Sequence, residues 1–195
     1  MRVIAGKYRG HPLRSLNGKD TRPTSDRLRE TLFNVLTAGN PAALEGSVWL
    51  DLFAGTGAVG IEALSRGAKQ VFFVETSAQA TKVIEQNLQN LKIADGYRIL
   101  HDDLSGVLWR LQREHIAADV VFLDPPYEMQ DAYERSLTAL ADSSLVWAMS
   151  LVIAEHEKKF NPRAEFGSLR RVRKLLQGNS ALSFYRIGGR PDLNE

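Results

Sequence analysis

The sequence predicts an α/β protein: a mostly parallel sheet with helices on both faces, closed at its C-terminal edge by an antiparallel strand. Three observations carry this. From Ser47 onward, apolar runs of strand length alternate with amphipathic runs of helix length, as in parallel sheets built from βαβ units. The first of these strands opens onto a glycine-rich turn. Near the C-terminus the alternation stops, and two strand-like runs flank the short polar turn "QGNS".

The elements follow in order. Residues 1–14, "MRVIAGKYRGHPLR", alternate apolar and polar around Gly6 and Gly10, which predicts a short hairpin with basic side chains on one face. Residues 15–23 read as a polar loop. A helix begins after Thr24 or Ser25, either a fair N-cap, with Leu28, Leu32, Val35 and Leu36 at helical spacing. "AGNPAALEG" breaks that pattern. Then "SVWLDLFA" reads as a strand and 58–66 as a helix. "QVFFVE" is a strand followed by a helix over 78–91, and "YRILH" a strand followed by a helix over 104–115. "DVVFLD" is a strand followed by the helix "DAYERSLTALA", and "SLVIAE" is a further strand. "RRVRKLL" and "ALSFYRI" form the closing hairpin. The predicted organisation is a basic extension over 1–40 and a sheet domain over 41–195.

Composition narrows the function. The chain has 195 residues, 44% hydrophobic and 25% charged, which suits a soluble globular protein. No apolar run approaches the roughly 20 residues that span a bilayer, and the N-terminus does not read as a secretory signal. With no cysteine, disulfides, Cys-ligated zinc and cysteine nucleophiles are excluded. A cytoplasmic protein is expected. Net charge is +2, yet residues 1–30 hold eight basic residues against three acids, so that segment carries +5 and the remainder −3. A basic arm on a slightly acidic body fits a polyanionic partner; an ordinary solvated surface fits the same count.

The turn "DLFAGTGAVG" starts at Asp51 and places Gly55, Gly57 and Gly60 in the G-x-G-x-x-G spacing of nucleotide-binding strand-to-helix turns. Without Cβ atoms such a loop can lie against a cofactor. Glu75 ends the next strand, where an acid holds ribose hydroxyls. A carboxylate at Asp51 would repel a pyrophosphate but attract the sulfonium and ammonium of S-adenosylmethionine. Of Asp102 and Asp103, which follow the third sheet strand, Asp103 is the better candidate to accept from an adenine amino group; both also suit a helix cap.

The second motif is "FLDPPYEM". In open α/β sheets ligands bind beyond the carboxyl ends of strands, and Asp124 falls at such an end. Pro126 constrains Pro125, and Pro125 constrains Asp124, so both precede a proline in extended geometry. The Asp124 carboxylate and the Pro125 carbonyl are then two fixed acceptors, and neither proline offers an N–H. Two convergent acceptors suit a planar amino group whose lone pair is drawn into a π system. Tyr127 can stack on a nucleobase. No metal is expected: around "AEHEKK", His156 and its neighbours Glu155 and Glu157 alternate faces on a strand. His101 and His115 read as surface or helix-end residues. "LRRVRKLL" reads equally as basic surface for RNA or as an edge strand protected by charge.

These motifs resemble the class I S-adenosylmethionine-dependent methyltransferases that modify exocyclic or amide nitrogens. "DLFAGTGAVGIEALSRGAKQVFFVE" with "FLDPPY" is similar to the narrower RsmD-type group, which methylates a guanine N2 of 16S ribosomal RNA. "RVIAGKYRGHPL" and "RPTSDRLRETLFNVL" look like that group's opening hairpin and helix, and "GNSALSFYRI", more loosely, like its closing strand. The resemblance implies a Rossmann-like fold with seven strands. It places Asp51, Phe53, Gly55, Gly57, Glu75 and Asp103 at the cofactor, and Asp124, Pro125, Pro126 and Tyr127 at the reacting amine. Arg2, Lys7, Arg9, Arg22 and Arg27 fall in the RNA-facing part. The implied partners are 16S ribosomal RNA and the small ribosomal subunit or its assembly intermediate, with the protein acting as a monomer. A DNA adenine-N6 methyltransferase, a protein glutamine-N5 methyltransferase, a dinucleotide-dependent oxidoreductase and a non-catalytic RNA-binding assembly factor are the rival readings. Asp124 stands where the glutamine enzymes carry Asn.

Overall fold

The computed structural model describes residues 1–16 and 25–188. The chain forms two compact units, Met1–Asp103 and Leu104–Glu195. The expected alternation is present in both.

The first unit holds α1 (Asp26–Leu36), β1 (Val48–Leu52), α2 (Ala58–Ser65), β2 (Gln70–Val74), α3 (Ala78–Asn90) and β3 (Tyr97–Leu100). β2 lies between β1 and β3 and pairs with both in parallel. The register aligns Leu52 with Val74 and Val74 with Leu100, so all three strands end at one edge. Trp49, Leu50, Val71, Phe72 and Phe73 are all buried. Consecutive strand residues point to opposite faces, so both faces of this sheet are covered. α2 is buried almost all round, from Ala58 to Ser65 with only Leu64 partly exposed, as a helix packed on two sides must be. One side meets the sheet, where a Cβ added to Gly60 would lie 2.3 Å from Phe73. The other meets the N-terminal segment.

That segment is the expected hairpin in reduced form. A single antiparallel bridge joins Arg2 to Pro12. The Val3 amide donates to the His11 carbonyl at 3.0 Å, and the Gly10 amide to Val3 at 2.9 Å. α2 fastens it. The buried Glu62 carboxylate accepts the Ile4 and Ala5 amides at 2.8 and 3.0 Å. The Lys7 amide donates to the Ser65 carbonyl at 2.7 Å, and a Cβ on Gly6 would fall 1.8 Å from that oxygen. α1 is capped by Ser25, whose hydroxyl accepts from the Leu28 amide; Thr24, the alternative cap, lies outside the described residues. Its buried face is Leu28, Arg29, Leu32 and Phe33, not the expected stripe through Val35 and Leu36, which stay partly exposed. The stripe turns because Arg29 is drawn inward: it donates to the Arg2 carbonyl and Asp26, and its Nε lies 3.9 Å from Glu62.

The second unit holds α4 (Leu104–Arg113), β4 (Ala118–Leu123), α5 (Gln130–Ala141), β5 (Val146–Glu157), β6 (Glu165–Phe166), β7 (Leu169–Gln177) and β8 (Ser180–Ile187). β4 and β5 are parallel; β8 pairs antiparallel with β5 on one side and β7 on the other. This is the predicted antiparallel closing strand. The β7–β8 turn is two residues long, with Gly178 at φ 60°. β6, two residues paired to β7, has no sequence signal because it is too short to show a period. It adds an eighth strand, among the described residues, to the seven expected.

Candidate active site

In the first unit β1 stops at Leu52 because Phe53 adopts φ 60°, a left-handed conformation uncommon outside glycine. The chain then turns through Gly55 at φ 55° and Gly57 at φ 74° into α2. The three glycines have different reasons to be glycine. Gly60 is needed for close approach of helix to strand, as its virtual Cβ clash with Phe73 shows. Gly57 also packs tightly, its Cβ falling 3.2 Å from Ile84. At Gly55 the nearest atom to an added Cβ is a carbonyl at 3.9 Å, so only this glycine opens onto clear space. Packing alone therefore explains Gly60, and of the three only Gly55 has room beside it for a ligand.

Asp51, on β1 and buried, accepts from the Gly60 amide at 2.9 Å. Gly57 supplies no side-chain cap to α2, so Asp51 satisfies a first-turn N–H of that helix through space. Glu75 stands directly past β2 and bridges two loops: one oxygen accepts from the Gly55 amide and the other from the Ser77 amide, both at 2.8 Å. These bonds fix the carboxylate's orientation, and each oxygen retains a second lone-pair site for a hydroxyl. Asp102 and Asp103 lie past the end of β3; Asp102 accepts from the Asp103 amide at 2.8 Å, and Asp103 is exposed. Asp51, Phe53, Gly55, Gly57, Glu75 and Asp103 are thus gathered at one edge of one sheet. His101, exposed, contacts the Thr76 carbonyl at 2.8 Å.

Asn87 on α3 is a residue that sequence reasoning missed. Its Nδ2 donates to the Thr56 carbonyl of the glycine turn at 3.0 Å, and its Oδ1 accepts the Arg14 amide at 2.7 Å. One side chain therefore ties the turn to the basic N-terminal segment. In that segment Arg2, Lys7 and Arg9 are exposed, as is Arg27 on α1; Arg22 lies outside the described residues.

In the second unit Asp124 follows β4 directly and is half-buried, Pro125 is buried, Pro126 exposed and Tyr127 half-buried. The Tyr127 hydroxyl lies 3.1 Å from Ser180 Oγ at the start of β8. Tyr133, buried on α5, donates its hydroxyl proton to the Glu155 carbonyl at 2.8 Å. The Pro125 carbonyl is 3.4 Å from the same hydroxyl, at the limit of hydrogen-bond range. A hydroxyl has one proton, so the shorter bond takes it and the Pro125 oxygen keeps its acceptor capacity. Burial first, then the negative charge of Asp124, raises the Tyr133 pKa well above the usual phenol, so it stays a donor.

Behind this turn His156 is buried between Tyr133 and Phe160, with ring centroids 6.4 and 6.0 Å away. Its Nδ1 lies 2.8 Å from the Glu157 carbonyl, which can only accept, so Nδ1 carries the proton. Nε2, 2.9 Å from Ser183 Oγ, accepts. Burial, with Lys174 and Arg171 adding to it, pulls His156 below the ordinary imidazole value and keeps it neutral. The sequence gives no signal for these contacts because Glu155, Ser183, Thr56 and Arg14, which Tyr133, His156 and Asn87 bond, lie 22 to 73 residues away along the chain.

The parallel strands, the glycine turn and the acids at its edge define the fold of the class I S-adenosylmethionine-dependent methyltransferases. Within that class the chain belongs to the family described as Conserved hypothetical protein 95, whose model matches residues 1–186. The YlbH protein of Bacillus subtilis (strain 168) is 31% identical over 189 residues, covering 97% of this chain and 100% of that one. The ribosomal RNA small subunit methyltransferase D of Haemophilus influenzae is 37% identical over 158 residues, covering 81% of this chain and 79% of its own length. The protein of that name from Escherichia coli (strain K12) is 34% identical over 80% of this chain and 75% of its own. A solved structure from Thermus thermophilus, described as a hypothetical protein, superposes with a TM-score of 0.80 at 28% identity, covering 96% of this chain and 99% of that one.

Proposed function

We propose that this protein transfers a methyl group from S-adenosylmethionine to the exocyclic N2 amine of a specific guanine in 16S ribosomal RNA, on the assembled or assembling small subunit. The observation that carries the reading is the half-buried Asp124 carboxylate beside the Pro125 carbonyl, with no N–H on either following proline, in a chain whose relatives are named as small-subunit ribosomal RNA methyltransferases. The residues past β1 and β2 suit the cofactor: Glu75 is held by two backbone amides, and Gly55 opens onto clear space. When bound, S-adenosylmethionine supplies an electrophilic methyl group and leaves as S-adenosylhomocysteine. Glu75 would accept from ribose hydroxyls and Asp103 from the adenine amine. Asp51, already capping α2, would add negative charge favourable to a bound sulfonium.

The acceptor half of the chemistry falls to the second unit. Asp124 and the Pro125 carbonyl accept hydrogen bonds from the two amine N–H groups and fix the nitrogen's orientation. As the new N–C bond forms, positive charge grows on that nitrogen, and the Asp124 carboxylate stabilises it, an effect worth on the order of 3–4 kcal/mol for one well-placed partner. Tyr127 stacks on the base, worth about 1–3 kcal/mol, after the base has left its helix stack. Segment 1–40, as the extension to a methyltransferase domain over 41–195, contributes phosphate contacts through Arg2, Lys7, Arg9, Arg22 and Arg27. These position the RNA without reading its sequence, and a preformed particle, with its ribosomal proteins, supplies the remaining specificity. The protein acts as a monomer in the bacterial cytoplasm.

The test is transfer of labelled methyl groups to small-subunit particles, to naked 16S RNA and to DNA, with the modified nucleosides separated by mass spectrometry. N2-methylguanosine formed faster on the particle is the expected result. Equal rates count against the particle as substrate, and N6-methyladenine in DNA defeats the guanine reading.

A further inference from the structure

The second unit ends in a second basic segment, distinct from the N-terminal one. Residues 158–188 carry eight lysines and arginines against one acid, Glu165. Two of these cations are in ion pairs, Arg170 with Glu165 at 3.2 Å and Arg163 with Glu134. Arg171 and Lys174 are arranged differently. Arg171 Nη1 and Lys174 Nζ both donate to Asn161 Oδ1, at 3.0 and 2.9 Å, and Arg171 also donates to the Pro162 carbonyl at 3.0 Å. Two like charges are held on one neutral amide oxygen.

Regular strand geometry would not allow this. Residues three apart on a strand point to opposite faces. Here β7 carries a register shift between Arg171 and Arg173: Arg171 pairs with Tyr185 and Arg173 with the next residue back, Phe184, leaving Val172 as the extra residue. A bulge re-aims side chains. It brings Arg171 and Lys174 to one face, while Arg173 takes up a cation–π contact over the Phe184 ring at 5.9 Å. Charge on an edge strand discourages sheet-to-sheet aggregation, but that purpose needs no bulge and no shared acceptor.

The position of the pair is also set. Ser180, which meets the Tyr127 hydroxyl, pairs with Gln177; Lys174 pairs with Ser183 and Arg171 with Tyr185. At about 3.3 Å per residue, Lys174 and Arg171 stand roughly 10 and 17 Å along β8 from the Tyr127 contact. We propose that Arg171 and Lys174 form a phosphate track on the outer strand β7, binding the backbone of the RNA strand whose target base reaches Tyr127. This rests on the RNA reading above.

The test is the salt dependence of binding to a generic single-stranded RNA oligomer, which does not depend on which RNA is methylated. Each phosphate contact to a single strand contributes about 0.7 to the slope of log K against log salt. The double variant Arg171→Gln/Lys174→Gln is expected to lose about 1.4 of that slope. Arg173→Gln, on the other face, is expected to leave it unchanged, and the charge-keeping exchange Arg171→Lys/Lys174→Arg to retain it. An unchanged slope in the double variant overturns the track, as does an equal loss in Arg173→Gln or loss in the charge-keeping exchange. Self-association of the double variant with an unchanged slope assigns the charges to edge protection instead. A slope change in a protein that methylates no ribosomal RNA keeps the track and defeats the RNA-substrate reading; methylation with an unchanged slope does the reverse.

Discussion

Asp124 and His156 sit within one unit and do opposite kinds of work. Asp124 is held at a strand end by two prolines, and its proposed contribution is electrostatic. The variant Asp124→Ala should fold and bind S-adenosylmethionine, as read by calorimetry, yet transfer methyl groups at least about a hundredfold more slowly. Wild-type rates in that variant would remove Asp124 from the mechanism. His156 is buried and neutral, with its folded pKa below the unfolded one. As pH falls below about 6.5 the unfolded chain takes up a proton that the folded one does not, so this group's stability is complete above that pH and declines below it. Urea unfolding at pH 7.5 and 5.5 should show the decline, at most about 1.4 kcal/mol per pH unit for one group, and His156→Asn should flatten it. The place of Asp124 at a strand end was legible because proline punctuates sequence; the contacts of His156 were not, because Ser183 Oγ and the Tyr133 ring come to it only through the fold.

At the scale of elements, nearly every strand and helix of the sheet region was legible, since each has a clean period and a glycine, proline or polar break at its ends. α2 is the instructive exception. Its position was plain from the glycine turn, but its second buried face was not. The residues that explain it are Glu62 and Arg29, whose contacts span 58 and 27 residues to Ile4 and Arg2. Both are fully buried, and burial pulls the Arg29 pKa below its usual value, with Asp26 and Glu62 partly offsetting it. Glu62→Gln leaves the guanidinium without its inward counter-charge and should cost about 3–5 kcal/mol in denaturant unfolding. Amide exchange at Ile4 and Ala5 should rise along with it. Gly60→Ala forces a methyl into the Phe73 ring and should cost about 1–3 kcal/mol by the same measurement, through overpacking.

At the scale of the whole molecule, charge is divided along the chain: residues 1–30 and 158–188 are strongly basic, and the stretch between them, which carries both candidate motifs, is acidic. The modest net +2 hides this division. Replacing Lys7 and Arg9 by Gln should weaken RNA binding uniformly across sequences and shallow its salt dependence, while unfolding midpoints stay put because both side chains are exposed. The docking of residues 1–16 on α2 bears on the energetics of that encounter. Gly6 leaves no room for even a methyl group against Ser65, and Glu62 already clasps the two residues before it. In the proposed encounter these sixteen residues would meet RNA as a finished surface. They carry no folding-on-contact penalty, and calorimetry should find a small heat-capacity change on association, far from the large negative value of a segment that orders as it binds.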